Sequence, residues 1–261
     1  MHCYLIMSLA LLFITAAGIP EKKNKPVIHL VGDSTVKNGS GLGEGGLWGW
    51  GAFLHTMLDT SKVSVRNHAL GGRSSRTFIT QGLWDNVLST VKPGDYVIIQ
   101  FGHNDSSPVN DDSRARGTLK GTGEETREID NMLTKQHEIV HSYGWYLRKY
   151  INDSKARGAI PVVCSPVPRN IWENGRLARA SADYGLWAGE TAEAAGAYFI
   201  DLNEIIALKY EALGQEEVSS KLFLTDHTHT NEAGAIINAT AVAEGLKQLK
   251  NCKLKKYLRK R

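Results

Sequence analysis

The sequence predicts an α/β fold: an open sheet of parallel strands with helices on both faces. Three observations predict it. Short apolar, β-branched runs alternate with helix-patterned segments from residue 27 onwards, the mark of repeated strand–helix–strand units. One run, Asp95 to Phe101 (DYVIIQF), carries Val-Ile-Ile without polar alternation, as a strand covered on both faces does. Chemically capable residues cluster just after the runs, at the carboxyl ends of the strands where such sheets gather ligands.

Taken in order, Val27 to Val31 is a strand that ends in Gly32-Asp33, and Trp48 to Leu58 reads as a helix. Val63 to Asn67 is a second strand. Leu83 to Val91 is helical and is stopped by Pro93-Gly94, because proline cannot continue a helix. Asp95 to Phe101 is the third strand. Residues 105–135 turn polar and Gly-rich and read as an insertion outside the core. His137 to Arg157 reads as one long helix closed by Gly158, and Ala159 to Cys164 is the fourth strand. After a polar loop with Pro166, Pro168 and Asn174-Gly175 come a helix (Ser181 to Gly196), a fifth strand (Tyr198 to Ile200) and another helix (Leu202 to Leu213). A loop at 219–231 leads into a last helix over about 232–250. Connections between parallel strands are expected to be right-handed.

The 261 residues, 42% hydrophobic and 22% charged, are ample for a buried core and exclude a disordered chain, a collagen-like rod or a disulfide-dense mini-protein. The net charge of +4 invites a nucleic-acid partner. Its location argues against one: eight of the 31 Lys and Arg lie between Lys247 and Arg261, where there is no acid, so the rest of the chain is mildly acidic. The basic run reads as a solvated end of the last helix. Residues 1–17 (MHCYLIMSLALLFITAA) carry no charged side chain, hold an apolar stretch from Leu5 to Ile14 and end in small residues, as a secretory signal peptide does. The expected organisation is a signal peptide at 1–17, a short segment at 18–25, one domain at 26–250 and a basic tail at 251–261. The mature protein is expected to be secreted or periplasmic, off the membrane and monomeric. Cys3 leaves with the signal, Cys164 lies in an apolar run and Cys252 in the tail, and whether the last two pair is open.

Three strand-end segments and the loop before the last helix carry chemistry. Ser34 stands in Gly32-Asp33-Ser34-Thr35-Val36; a serine there ordinarily caps a turn, and Val36 replaces the second glycine of a G-x-S-x-G elbow. Asp226 and His229, three apart in a loop that opens a helix, let a carboxylate reach Nδ1 while Nε2 points outward. An activated serine needs such a base and such an orienting acid. His227 is the rival base, poorly placed to pair with the aspartate directly before it. Gly72 can bring a backbone N–H close to a ligand, and Asn104 offers a side-chain N–H. With the N–H of Ser34 they supply three donors, enough for an oxyanion hole. Arg73, Arg76 and Arg169 sit in loops expected to face the site, where they suit carboxylates, and Trp172 suits a sugar face.

GDSTV, the glycine of GGRS, GHND and DHTH, in this order, resemble the four blocks of the SGNH (GDSL-like) hydrolases. Trp48-Gly-Trp-Gly51, NHALGGRSSRTF (67–78), Gly121-Thr-Gly123, PRNIWENGR (168–176) and DHTHTNEAGA (226–235) narrow the resemblance to rhamnogalacturonan acetylesterases, over nearly the whole mature chain. The resemblance implies a three-layer flavodoxin-like sheet of five strands in the order 2-1-3-4-5. It implies Ser34 as nucleophile, His229 as base, Asp226 as its partner, and Ser34, Gly72 and Asn104 as oxyanion donors. It further implies an acetylated pectic polysaccharide as substrate, with no metal or cofactor; xylan or another acetylated polymer is the alternative within the same chemistry. The disulfides of the fungal relatives find no match in Cys164 and Cys252.

A motif of another class competes. His137-Glu138-Ile139-Val140-His141 spells H-E-x-x-H on the expected helix, the pattern of a zinc protease with two His on one face and a Glu base. Leu147 stands where a metzincin's third His falls, and the plainer reading is a polar helix face beside the insertion.

Overall fold

The computed structural model describes residues 25–259. The expected signal peptide, the residues after it up to 24 and the last two basic residues lie outside them. In chain order the elements are β1 (Val27–Gly32), β2 (Ser64–Asn67), α1 (Ser75–Thr80), α2 (Leu83–Leu88), β3 (Tyr96–Gln100), β4 (Thr126–Asp130), β5 (His137–His141), α3 (Tyr143–Ala156), β6 (Ile160–Cys164), β7 (Trp172–Glu173), β8 (Arg176–Leu177), α4 (Tyr184–Ala194), β9 (Tyr198–Ile200), α5 (Leu202–Leu213), α6 (Gln215–Lys221) and α7 (Glu232–Gln248).

Five of the strands form one parallel sheet in the order β2-β1-β3-β6-β9. Counting sheet strands alone, this is the expected 2-1-3-4-5. The chain reverses direction across the sheet between β1 and β3, so the crevice for ligands opens at their carboxyl ends. Both faces are apolar, as the unbroken hydrophobic runs require. Ile28, Leu30, Tyr96, Ile98, Val162 and Cys164 point to a layer made by α5 and α7. Val31, Val97, Ile99 and Val163 point to the opposite layer of α1 to α4. Each fully buried aliphatic side chain contributes about 1.5–3 kcal/mol. Cys164 and Cys252 are both free and both buried, so neither pairs with the other.

Six sequence expectations are corrected. The helix expected over Trp48 to Leu58 is two 3-10 turns, Trp50–Ala52 and Leu54–Met57, because its start is bonded to the GDS turn instead of to itself: Trp50 N donates to Thr35 O (3.0 Å) and Gly51 N to Val36 O (2.9 Å). Helix α1 was not anticipated; Ser74 and Thr77 form a capping box at its start. Segment His137–His141 is a strand, paired antiparallel with Thr126–Asp130, and the helix begins only after Ser142, whose side chain accepts from Trp145 N. The insertion therefore carries structure of its own, with Ala115 and Ile129 buried. Helix α6 begins before the expected loop and shortens it. The basic chain end is not a solvated helix extension. Helix α7 stops at Gln248, and the following residues fold back so that Cys252, Leu254 and Tyr257 join the core while Arg259 N bonds Met57 O (3.0 Å). Alternating Leu and Tyr among the lysines supply that apolar face. Among the described residues no helix is long and apolar enough to cross a membrane.

Candidate active site

The site starts at the end of β1. Gly32 is required there: a Cβ would lie 2.6 Å from the carbonyl oxygen of Gln100. The chain then turns around Asp33, whose carbonyl accepts from Val36 N (3.1 Å) and Lys37 N (3.0 Å) and whose Oδ1 accepts from Thr35 N (2.9 Å) and Thr35 Oγ1 (2.7 Å). This Asx-type turn presents Ser34 at its tip. A buried chain of polar contacts braces it from behind. Trp50 Nε1 donates to Gln100 Oε1 (2.8 Å), Gln100 Nε2 donates to Thr35 Oγ1 (2.8 Å), and Asp33 Oδ2 meets His103 Nδ1 at 3.3 Å. Nε2 of His103 lies 2.9 Å from the carbonyl of Val167. Burial alone would raise the Asp33 carboxyl, but the charge and hydrogen bond of His103 and the two bonds from Thr35 outweigh it and hold it below the usual range.

The loop before α7 supplies the other half. His229 Nε2 lies 2.8 Å from Ser34 Oγ, and His229 Nδ1 lies 2.7 Å from Asp226 Oδ2. Asp226 Oδ1 accepts from the backbone N–H of Thr228 (2.6 Å) and of His229 (2.7 Å). Burial opposes ionisation of Asp226, but the His229 bond and these two N–H groups win and lower it to about 2. The loop is fixed on both sides: Trp48 N donates to Thr230 O (2.8 Å), and Asn170 N donates to His227 O (2.7 Å). His227, the rival base, faces Arg169 (3.1 Å from Nε2 to Nη1) and makes no bond to Ser34.

The glycine turn after β2 closes the third side. A Cβ on Gly71 would lie 3.6 Å from Ser34 Cβ, so the two loops touch. Gly72 has a φ of 76°, the left-handed region that favours glycine. Neither the Ser34 nor the Gly72 N–H bonds any described residue. Asn104 Nδ2 gives one hydrogen to Arg73 O (2.8 Å) and keeps the other. Three donors at the ends of β1, β2 and β3 thus keep a free hydrogen, beside a hydroxyl whose proton a histidine can take; these are the parts that attack on a carbonyl and support of an oxyanion require.

The four candidate substrate contacts fare differently. Arg169 donates to Thr228 Oγ1 (2.9 Å) and lines a cleft of about 160 Å³ with His103, Pro166, Ile171 and Tyr184. Trp172 is half-buried, its Nε1 on Asn170 Oδ1 (2.7 Å) and its ring against the core. Arg73 bonds Gln81 and the carbonyl of Gly71. Arg76 is withdrawn: it is fully buried, paired with Glu138 (Nε to Oε1, 2.6 Å; Nη2 to Oε2, 2.7 Å), and its Nη1 serves the carbonyls of Val109 and Gly117. The zinc reading falls with the helix that carried it. On a strand, His137 and His141 stand about 13 Å apart, and Glu138 points the other way, to Arg76. His137 meets Asp130 (3.3 Å), and His141 stacks on Trp145 at 3.7 Å. Among the described residues no three His, Cys, Asp or Glu gather to hold a metal ion.

Sequence reasoning passed over Gln100, His103, Asp105 and Arg116. The first three lie inside the quoted segments DYVIIQF and GHND, and a Gln ending an apolar strand was a readable signal. Arg116, from the insertion, had none; its Nη1 donates to Gly72 O (3.0 Å). Asp105 is fully buried and accepts from the N–H and hydroxyl of Ser75, and burial pushes it up to about 7.

Fold and site together define an ester hydrolase of the α/β type. The chain belongs to the GDSL-like Lipase/Acylhydrolase family, whose model matches residues 30–236. It is 32% identical over 228 residues to a rhamnogalacturonan acetylesterase of Emericella nidulans, covering 87% of each chain. It is equally 32% identical to a probable rhamnogalacturonan acetylesterase, YesY, of Bacillus subtilis, over 85% of this chain and 93% of that one. The solved structure of YxiM from Bacillus subtilis superposes with a TM-score of 0.69 at 27% identity, over 86% of this chain and 57% of that one. An acetylxylan esterase, Axe2, of Geobacillus stearothermophilus shares the fold, with a TM-score of 0.56 at 18% identity over 90% and 97% of the two chains.

Proposed function

We propose that this chain is a serine acetylesterase that removes O-acetyl groups from the rhamnogalacturonan backbone of pectin, and that it acts as a secreted monomer without metal or cofactor. The observation that carries the reading is the unbroken Asp226–His229–Ser34 relay, with bonds of 2.7 and 2.8 Å. The two acetylesterase relatives support the substrate. In the first half-reaction Ser34 Oγ attacks the acetyl carbonyl, and its proton passes to His229 Nε2. The oxyanion lies on the N–H groups of Ser34 and Gly72 and on Asn104 Nδ2. The tetrahedral intermediate collapses as His229 returns the proton to the departing sugar hydroxyl, leaving an acetyl-enzyme. Water then adds, His229 takes its proton, and acetate leaves as the proton returns to Ser34. Asp226 stays ionised throughout and stabilises the imidazolium.

Arg169, which ties down the loop of the relay through Thr228 Oγ1 (2.9 Å), also walls the cleft of about 160 Å³. Arg169 at its wall is the cation best placed to meet a galacturonate carboxylate. The test is acetate release from acetylated rhamnogalacturonan, with acetylated xylan alongside. Faster release from the pectic polymer, lost in Ser34→Ala, is expected. Release from xylan alone would keep the mechanism and overturn the substrate.

A further inference from the structure

The oxyanion turn holds an arrangement that the proposed reaction does not by itself require. A peptide unit joins the carbonyl of one residue to the N–H of the next, so the Gly72 N–H shares its peptide with the Gly71 carbonyl. That carbonyl accepts a hydrogen bond from the guanidinium of Arg73 (Nη1, 3.1 Å). Arg73 is held for the task by Gln81 at the end of α1, whose Oε1 accepts from Arg73 Nε (2.8 Å). The next two carbonyls of the turn are occupied as well, Gly72 O by Arg116 Nη1 (3.0 Å) and Arg73 O by Asn104 Nδ2 (2.8 Å).

We propose that Arg73 is a positioning residue for the oxyanion hole: it fixes and polarises the Gly71–Gly72 peptide so that the Gly72 N–H faces the developing charge. Two physical effects act together. A cation on the carbonyl end of an amide draws electron density from it and strengthens the N–H end as a donor, the cooperativity expected along a hydrogen-bond chain. The same bond opposes a flip of the peptide, which the adjoining positive-φ glycine makes easy and which would turn the N–H away. Donors aimed beforehand cost no reorganisation when the charge forms. This places Arg73 behind the oxyanion, not against substrate, and it rests on the proposed role of Gly72.

The experiment compares Arg73→Gln and Arg73→Lys with wild type on p-nitrophenyl acetate, which is small and has no carboxylate, and on acetylated rhamnogalacturonan. Affinity for a phenylboronic acid, whose serine adduct is a tetrahedral anion, is measured in parallel. Removing a whole oxyanion donor costs about 100- to 1,000-fold, so weakening one is expected to cost Arg73→Gln roughly tenfold in kcat on both esters, with KM nearly unchanged. Boronate affinity should fall by the same factor as kcat/KM, and Arg73→Lys should recover part of the loss. Gln81→Ala, which frees the guanidinium but leaves the charge, should shift kcat in the same direction by less, and it serves if Arg73→Gln does not fold. Unchanged hydrolysis of p-nitrophenyl acetate with a raised KM for the polymer would overturn the proposal and make Arg73 a substrate contact. Boronate affinity that stays constant while kcat falls would also overturn it. Ser34→Ala is run beside these variants: full activity there would mean that the serine mechanism, and not this inference, has failed.

Discussion

The loop before α7 and the β4–β5 hairpin both set histidine beside carboxylate, and of these two only the loop is built as a reaction centre. In the loop before α7, Asp226 and His229 are three residues apart, share one turn of backbone and point their outer nitrogen at Ser34 (2.8 Å). In the hairpin, His137, Glu138 and His141 carry the letters of a metal site, but the strand spaces the two imidazoles far apart and turns the carboxylate to the opposite face. There Glu138 neutralises the buried Arg76. What differs is the backbone beneath the letters. A motif read at helical spacing has no meaning on a strand, whereas the loop motif needs only local turn geometry, which the aspartate itself makes by accepting two backbone N–H groups.

The contrast breaks if the two regions respond alike to substitution. The largest effect belongs to the loop. Ser34→Ala is expected to lower kcat for acetate release by about 10⁴-fold or more, and Asp226→Asn, which leaves the shape but frees the tautomer, by about 10²–10⁴-fold. In the hairpin the expected loss is one of stability. Glu138→Gln strands the fully buried Arg76 guanidinium and should cost about 3 kcal/mol in urea unfolding, while the folded variant keeps most of its kcat. An Asp226→Asn enzyme as fast as wild type, or a Glu138→Gln enzyme as stable, would erase the distinction.

A smaller effect concerns pH. Asp105 titrates near 7 when folded, against about 3.9 in an unfolded chain. A group whose folded pKa is raised contributes its full stability below the unfolded value and loses it as pH rises through the folded one. Wild type should therefore be weaker at about pH 8 than at about pH 5 by an amount that Asp105→Asn reduces, as measured by urea midpoints at the two pH values. The smallest effect is expected from His137→Ala, His141→Ala and EDTA: acetate release within about twofold of the untreated wild type, as for side chains away from the reacting atoms.

Much of the site was legible because it is local. Ser34, Gly72 and Asn104 each sit within a few residues of a strand end, and the strands announce themselves by unbroken apolar runs; Asp226 and His229 lie three apart in one loop before α7. What was not legible depends on distant partners. Arg76 looks like any loop arginine until the hairpin brings Glu138, 62 positions away, against it. Arg116 reaches Gly72 from 44 positions away, out of a polar segment with no apolar period to place it. Trp48 to Leu58 has helical letters but spends its first donors on the GDS turn. The basic end hid an apolar face of Leu254 and Tyr257 behind its charge. In each case a tertiary contact overrode a local preference.

The central claim is that Ser34, activated by His229, is the single reacting hydroxyl. It is tested most directly by titrating the enzyme with a fluorophosphonate and following residual activity together with the modified peptide by mass spectrometry. The account predicts one adduct per chain, on Ser34, with activity falling in step with labelling and both lost in Ser34→Ala. Inactivation with the label on another residue, or full acetate release from a chain already labelled at Ser34, would contradict it.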